Sequence, residues 1–314
     1  MKPAVPADRQ TTASTDAVLN MASAPVHIFN SELQNLRFRR GDVVSNSPAP
    51  GGMWGRYLGS DTRISGAAGS GYKLRQSGFE TGGDKVFALD ESRLAVGAFF
   101  SFTDNRISNV RGGNSDVEST GGGLYATWAD NSGLYVDGVV KFNHFSNTLQ
   151  TQMSDGTPVH GNYSQNGYGV SLEVGKTFRV NETVWAEPYV RGMAFRADGK
   201  DIQLDNGMKA RIDSTKSLQA EAGVSVGMNL DVGGTVVKPY LTAAVSHEFA
   251  DNNKVRINDR YDFRNDLSGT TGKYGLGVSA QLTPNAGVWA EARYENGRHT
   301  ESPVTGSVGF RINF

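Results

Sequence analysis

The chain of 314 residues contains no cysteine and no long apolar run. Without cysteine it has no disulfide framework, which fits both a cytosolic protein and an envelope protein that avoids disulfides. No segment approaches the roughly eighteen consecutive apolar residues of a transmembrane helix. The mean hydropathy of −0.41 suits a soluble protein. Hydropathy is a poor guide to membrane barrels, however, because alternation halves the apolar content of each spanning strand.

An excess of one charge sign is also absent. Lysine and arginine total 31, aspartate and glutamate total 32, and the net charge is −1. There is no basic block and no combination of aromatic and basic residues of the kind that single-strand binders use. The composition therefore predicts no nucleic-acid partner.

The most informative segment that is present is the C-terminus, which ends on an alternating strand. Apolar residues occupy Val304, Val308, Phe310, Ile312 and Phe314, with polar residues at most positions between them. Successive side chains of a strand point to opposite faces, so the segment has one apolar face and one polar face. An apolar edge strand invites aggregation in a soluble protein, whereas a membrane barrel closes its last strand on its first. We therefore expect an outer-membrane barrel.

Several other alternating segments are too long for ordinary globular strands. Those near residues 92–109, 132–149 and 163–180 exceed ten residues, whereas globular strands usually have about five or six. Strands that span a bilayer need roughly nine to eleven residues and often extend beyond it. The length of these segments favours a barrel over a β-sandwich.

The connections between strands alternate between short turns and longer polar links. Short turns are predicted at 90–92, 130–132, 181–182, 231–234 and 284–286, and longer links at 65–71, 110–116, 150–160, 200–207, 250–262 and 298–303. Five short and six long connections imply a twelve-stranded antiparallel transmembrane β-barrel over residues 51–314, an all-β fold. Both of its ends then lie on the side of the short turns, as expected for periplasmic turns.

A helix is predicted from about Asp16 to Leu36, ahead of the barrel. Pro25 either begins a second helix or kinks a longer one. Twenty-odd residues at 1.5 Å each measure about 30 Å, close to the depth of the hydrocarbon core. This helix is too polar for lipid, so we expect it inside the pore; a surface helix on a soluble β domain is the alternative. The candidate pore residues are Val26, Phe29, Asn30, Glu32, Leu33, Gln34 and Asn35.

This reading divides the chain into three parts. Residues 1–15 are expected to be a flexible linker, 16–50 the helical plug with its connection to the first strand, and 51–314 the barrel. Charged residues of both signs fall on the predicted inner face, where they would pair with each other or with the plug. They are Asp137, Lys141, Glu173, Glu187, Arg191, Glu221, Glu291, Arg293 and Arg311.

Large aromatic residues fall mostly near predicted strand ends. An aromatic girdle at the lipid headgroups is the expected arrangement for such residues in a barrel. The residues are Trp54, Trp128, Trp185, Trp289, Tyr57, Tyr125, Tyr135, Tyr189 and Tyr240.

Two motifs resemble a known family. A helix followed by Leu36-Arg-Phe-Arg-Arg-Gly-Asp42 and then Gly51-Gly-Met-Trp-Gly-Arg-Tyr57 is similar to the start of the C-terminal translocator domain of autotransporters, the pertactin and AIDA group. The terminal strand with Val308, Phe310, Ile312 and Phe314 resembles the signature by which outer-membrane barrels are recognised for insertion. The resemblance covers about residues 16–314.

The resemblance implies a twelve-stranded barrel that carries a helical linker through its pore and exports and anchors an upstream passenger. The implied partners are that passenger, outer-membrane lipid, the barrel-insertion machinery and periplasmic chaperones, with the barrel itself a monomer. Residues 1–8 lack the apolar core of a secretory signal. An outer-membrane protein needs such a signal, so we expect the natural start of the protein to lie upstream.

One departure from the family concerns self-cleavage of the linker. Some members cut themselves between two adjacent asparagines, by attack of the first side-chain amide on its own carbonyl. Here Gln34 stands where the first asparagine would be, followed by Asn35 and the bulky Leu36. Glutamine would have to form a larger, less favoured ring. We therefore expect no self-cleavage.

Other functions have weaker support in the sequence. The five histidines (His27, His144, His160, His247 and His299) do not have metal-ligand spacing, and there is no G-x-S-x-G motif. No cofactor or metal is implied. A general diffusion porin is the main alternative, with residues 1–50 as a tail outside an open pore. An outer-membrane hydrolase, acting through a pair of inward carboxylates, is the third possibility.

Overall fold

The computed structural model describes residues 11–36, 50–65 and 68–314, apart from the side chains of residues 34–36 and 303. Within these residues, helix α1 spans Ala13–Leu36. Eighteen strands follow: β1 (Gly51–Ile64), β2 (Tyr72–Ala88), β3 (Ser92–Asn109), β4 (Asn114–Asp130), β5 (Leu134–Gln152), β6 (Pro158–Lys176), β7 (Phe178–Arg179), β8 (Val184–Ala197), β9 (Lys200–Gln203), β10 (Lys209–Ile212), β11 (Thr215–Met228), β12 (Leu230–Val232), β13 (Thr235–Glu248), β14 (Asn253–Ile257), β15 (Tyr261–Asn265), β16 (Gly269–Thr283), β17 (Ala286–Gly297) and β18 (Thr300–Asn313).

Twelve of these strands form a closed antiparallel barrel. In order around the ring they are β1 to β6, β8, β11, β13, β16, β17 and β18. The ring closes where β18 pairs with β1, from Gly52 opposite Asn313 to Ile64 opposite Thr300. Closure gives every barrel strand two neighbours, which is the condition for crossing a bilayer with strands. The expected twelve-stranded barrel is confirmed.

The two faces of the wall differ as alternation predicts. Outward side chains include many large apolar residues that are half exposed or more, for example Leu124, Leu172, Leu218, Leu241, Leu276 and Val308. Inward positions hold serine, threonine, asparagine and charged residues, most of them buried. An apolar exterior around a polar interior is the pattern of a barrel in lipid.

The prediction of an aromatic girdle is wrong for at least six of the nine residues, of which Tyr240 donates to the inward Glu291. Trp54, Tyr125, Tyr135, Tyr189 and Trp289 are each less than 9% exposed and point into the barrel. Neighbouring strands offer glycines beneath these rings. A Cβ added at Gly309 would lie 2.3 Å from the Trp289 ring, and one at Gly175 would lie 2.4 Å from the hydroxyl of Tyr135. Glycine therefore makes the interior wide enough for large rings.

Two of the long links form a second sheet that the sequence did not predict. The hairpin β9–β10 lies between β8 and β11, and the hairpin β14–β15 lies between β13 and β16. They pair in the order β15-β14-β10-β9 at the rim that carries the long links, and we call this the rim sheet. Its inward residues Ala210, Ile212, Val255 and Ile257 join the apolar core around α1. In contrast, the predicted link at 298–303 is shorter, because β18 begins at Thr300.

Helix α1 is a single helix that passes through Pro25 and begins at Ala13 rather than near Asp16. The helix lies inside the barrel, and most of its described side chains are buried. Within the described residues, this helix is not apolar enough along its length to cross a membrane.

Candidate functional site: the pore and its helix

The apolar stripe of α1 packs against one side of the wall. Phe29 is fully buried and stacks on Phe195 with ring centroids 4.3 Å apart. A Cβ added at Gly169 would lie 2.0 Å from the Phe29 ring, so only glycine leaves room for it there. Val26 and Leu33 are also buried, at 2% and 3% exposure. The predicted apolar residues of the helix thus form its contact with the wall.

Glu32 ties the lower part of the helix to three strands. Its carboxylate is fully buried and forms an ion pair with Lys141 of β5. Asn143 Nδ2 donates to the same carboxylate at 2.8 Å, and the hydroxyl of Thr103 donates at 2.7 Å. The guanidinium of Arg56 donates to the backbone carbonyl of Glu32 at 3.1 Å. Each of these contacts fixes the height and rotation of the helix.

Arg56 belongs to a buried charge group next to Glu32. It pairs with Glu80, and Lys141 lies 3.7 Å from the other oxygen of Glu80. Two carboxylates, one lysine and one arginine therefore balance in charge inside the wall. A balanced group is what burial demands, since an unpaired buried charge is very costly.

The upper part of the helix is held at the rim of the long links. Asp16 accepts a hydrogen bond from Ser70 at 2.6 Å and lies 3.4 Å from Arg111. Asn20 donates to the carbonyl of Gly71 at 3.2 Å. The side chain of Asn265 donates to the carbonyl of Leu19 at 3.0 Å, which joins the rim sheet to the helix.

The structure shows fewer contacts for the remaining predicted pore residues. Asn30 is buried, at 8% exposure, and lines a cavity beside the helix. Gln34 and Asn35 lie in the last turn of α1, and their side chains are outside the described residues. The expectation about self-cleavage depends on those two side chains and stays a prediction.

The structure places the nine predicted lumen charges on the inner face of the wall. Asp137 accepts from Thr127 at 2.5 Å, Glu173 from Tyr135 at 2.7 Å, and Glu187 from Thr177 at 2.9 Å. Arg311 donates to both oxygens of Asp84, at 2.5 and 2.8 Å. Lys141 meets the helix, while Arg191, Glu221, Glu291 and Arg293 lie together on the opposite side of the barrel.

Sequence reasoning missed four charged partners in these groups: Arg56, Glu80, Asp84 and Lys273. Each lies at an inward position of its strand, with outward neighbours that alternate with it. The alternation alone could therefore have placed them inside. Which charge each one meets depends on strand register and could not be read from the sequence.

The C-terminal residues of the predicted insertion signature point outward. Val308, Phe310, Ile312 and Phe314 are 50–67% exposed on the apolar face of the barrel. Their backbone is fixed by pairing with β1 and β17. Recognition of this face by other proteins stays a prediction.

The pore chemistry is that of hydrogen bonding and charge pairing. Among the described residues, no group of three or more histidine, aspartate or glutamate side chains is placed to hold a metal ion. The charged residues contact each other, hydroxyl groups of the wall or the helix. This arrangement can hold a helix inside a hydrated barrel.

The comparison with known families decides what this barrel is. Residues 53–293 match the family described as the autotransporter beta-domain. The chain belongs to the autotransporter β-domain family. It is therefore an outer-membrane translocator unit, a transport domain built as a closed barrel.

Similar proteins extend this assignment over nearly the whole chain. The autotransporter CRAC of Citrobacter rodentium is 72% identical over 99% of the chain, which corresponds to 20% of that relative. The autotransporter adhesin/invasin TibA of Escherichia coli O78:H11 is also 72% identical, over 98% of the chain and 31% of that relative. The chain thus spans about a fifth to a third of the length of these autotransporters.

A solved structure supports the fold. The β domain of the Bordetella autotransporter BrkA superposes with a TM-score of 0.74, covering 84% of this chain and 100% of that one at 24% sequence identity. At this level of identity the likeness concerns architecture. It agrees with the barrel topology of this autotransporter β-domain.

Proposed function

We propose that this β-domain exports and anchors a passenger that precedes it in a longer polypeptide, and that residues 16–36 of α1 then plug the pore. The observation that carries the proposal is the direction of α1. Its N-terminal end lies at the rim of the long links, held by Asp16 and Asn20, while Glu32 lies deep in the wall. Long links of outer-membrane barrels face the cell exterior. Chain upstream of α1 would therefore begin outside the cell.

The physical basis of export is a hydrated path. The inner face offers hydroxyl, amide and charged groups that can solvate an extended chain, whereas lipid cannot. Folding of the passenger outside and the insertion machinery would supply direction. The barrel needs no nucleotide, cofactor or catalytic group for this role, and we propose that it has no enzymatic activity.

The proposed partners follow from the two faces of the barrel. The outward apolar face fits outer-membrane lipid, and the exposed terminal strand with Phe310 and Phe314 fits recognition by the barrel-insertion machinery. Periplasmic chaperones would keep that apolar face from aggregating before insertion. Since β1 and β18 close the ring within one chain, the barrel is proposed to act as a monomer.

Conductance in planar bilayers tests the plug. The barrel without residues 1–36 should conduct several-fold more than the full chain, because α1 occupies the pore. A control deletion of residues 1–10 alone should leave conductance unchanged. A full chain that already conducts like the shortened one would contradict the plug and favour a general porin.

The linker is expected to remain uncut. Purified, refolded chain should run at full length on denaturing gels after prolonged incubation, because Gln34 cannot form the favoured ring. As a positive control, Gln34→Asn restores the two adjacent asparagines. Clean scission of the native chain after Gln34 or Asn35 would show this expectation to be wrong.

A further inference from the structure

Helix α1 does not occupy the pore evenly. It packs on β2 to β6, β8 and β11. On its other side, a cavity of about 110 Å³ separates it from inward residues of β13, β16, β17 and β18. The cavity reaches the rim of the long links near Gly69, Leu267 and His299. We call this space the vestibule.

The vestibule is polar. His27 Nε2, Gln76 Nε2 and His299 Nε2 line it and have no hydrogen-bond partner among the described residues. Buried polar atoms of this kind are satisfied by water. The volume is sufficient for several water molecules, since each needs roughly 10–15 Å³ by such a measure. The vestibule is therefore a hydrated space that α1 leaves open.

Buried ion pairs stand at the inner end of the vestibule. Lys273 and Arg293 line the vestibule and also a smaller cavity beyond it, with Arg191 and Glu221. Lys273 Nζ lies 2.6 Å from one oxygen of Glu221, and Arg191 Nη2 lies 3.1 Å from the other. Arg293 Nη2 lies 2.7 Å from Glu291. We call these five residues the ion-pair cluster.

Strand geometry explains why long side chains gather here. The cluster draws on β8, β11, β16 and β17, and the intervening strand β13 places Thr242 and Ala244 beside it. Small residues on β13 leave a gap that the long charged side chains of its neighbours cover. Two tyrosines fix the acids in place, with Tyr189 donating to Glu221 at 2.9 Å and Tyr240 donating to Glu291 at 2.8 Å.

We infer that the ion-pair cluster is a second seal of the pore, which closes the inner end of the vestibule to small inorganic ions where α1 does not reach. The inference rests on the proposed function, because it divides the closure of the pore between the helix and the wall. A passing ion would have to separate paired, buried charges. Separation leaves each charge uncompensated in a buried site, which is strongly unfavourable.

The test uses the full chain with Lys273→Ala and Arg293→Ala together. Conductance in potassium chloride should rise several-fold over the native chain, because the side chains that cover the gap are removed. The current should also become selective for potassium over chloride, since Glu291 loses Arg293 and Glu221 keeps only Arg191 as a counter-charge. The matched control, Arg211→Ala with Arg256→Ala, removes the same charge from exposed pairs of the rim sheet and should conduct like the native chain.

A second measurement identifies the path of the new current. Ser246 lines the vestibule, and the native chain has no cysteine. With Ser246→Cys added to the double variant, a bulky thiol reagent should block most of the raised current. A raised current that the reagent leaves unchanged would place the path elsewhere and overturn the inference. Unchanged conductance in the double variant would overturn it directly.

A variant that does not fold can be distinguished from a failure of the second seal, and a failure of the second seal from a failure of the helix plug. If the double variant does not show the heat-dependent gel mobility of a folded barrel, Lys273→Met with Arg293→Met retains the apolar stems and should still give the potassium preference. Deletion of residues 1–36 reports on the helix alone. A conductance rise on that deletion without one in the cluster variants would leave the helix plug standing and reject the second seal.

Discussion

Glu32 is the residue on which the position of the helix depends most. It is fully buried, and its carboxylate meets Lys141, Asn143 and Thr103 on two strands. A buried charge that loses its partner typically costs about 3–5 kcal/mol. The charge on Lys141 therefore makes Glu32 hard to replace.

Glu32→Ala should weaken the hold of the wall on α1 by a few kcal/mol, because Lys141 loses one of its two buried carboxylate neighbours. Limited proteolysis of refolded barrels should then cut α1 sooner, and conductance should rise. The control is Asp201→Ala, which breaks an exposed ion pair with Arg211. Restoration of protection by Glu32→Ala combined with Lys141→Met would confirm that the incompletely paired charge of Lys141 is the cause. Equal proteolysis of Glu32→Ala and native chains would contradict it.

At the same scale, Asp205 joins the rim sheet to β6. The backbone N–H of His160 donates to its carboxylate at 2.9 Å, and this hydrogen bond is the main reason why the pKa of Asp205 lies below the usual value. A lowered pKa in the folded state means that the ionised carboxylate stabilises the folded state. This stabilisation is present above the ordinary aspartate pKa of about 4 and is lost as the pH falls through the folded-state pKa.

Acidification should therefore loosen the β9–β10 hairpin before the barrel. Hydrogen exchange at the His160 amide should accelerate as the pH drops below about 4, after correction for the intrinsic rate. In Asp205→Ala the same amide should exchange fast at neutral pH. Protection of that amide that is unchanged across this range would show that Asp205 does not hold the hairpin.

At the scale of elements, the pairing of β17 with β18 depends on a glycine beneath an aromatic ring. Trp289 lies opposite Gly309 in the register, and a Cβ at Gly309 would lie 2.3 Å from its ring. At Gly306 of the same strand, the nearest atom to an added Cβ is 3.8 Å away, which is ordinary contact. Gly309 is therefore the test position, and Gly306 is its control on the same strand.

Gly309→Ala should destabilise the barrel by about 1–3 kcal/mol, the usual cost of overpacking, whereas Gly306→Ala should have little effect. The urea concentration at which the folded band disappears on semi-native gels measures both variants. If Gly309→Ala and Gly306→Ala unfold at the same concentration, the ring of Trp289 moves aside at no cost.

The barrel strands were predictable because each must cross the membrane with a period of two. The alternation of five short turns with six longer links predicted the strand count without any tertiary information. The rim sheet was not predictable, since β9 and β10 have four residues each and lie in links with polar surroundings. Trp54 and Trp289 were predicted to face lipid because aromatic residues at strand ends usually form a girdle. They point inward because the strand register places Gly82 and Gly309 beneath their rings, and that register was not predictable.

The site was predictable to a similar degree. Alternation placed Glu221 and Arg293 inside the barrel, and helical spacing placed Phe29 and Glu32 on α1. The pairing of Glu32 with Lys141 joins positions 109 residues apart. Only the height and rotation of α1 decide that contact, and neither is encoded in local sequence.

At the scale of the whole molecule, the exterior determines the solvent that the protein needs. Large side chains such as Leu241, Leu276 and Phe310 are half exposed or more around the wall. A contiguous apolar surface of that extent is incompatible with a monomer in water.

The purified chain should therefore be monodisperse only in detergent or lipid. Light scattering coupled to size exclusion should give one copy of the chain per micelle, and removal of detergent should give aggregates. A monomeric peak in plain buffer would refute the membrane barrel. A defined dimer in detergent would refute only the proposed monomer.

The pairing of Gly52 with Asn313 sets an order of events during biogenesis. Strand β18, which completes the ring, is the last of the twelve barrel strands to be synthesised, so no closed conduit exists until β18 has been made and has paired with β1. For the proposed export, this means that a passenger can cross only after the whole barrel has been synthesised and closed.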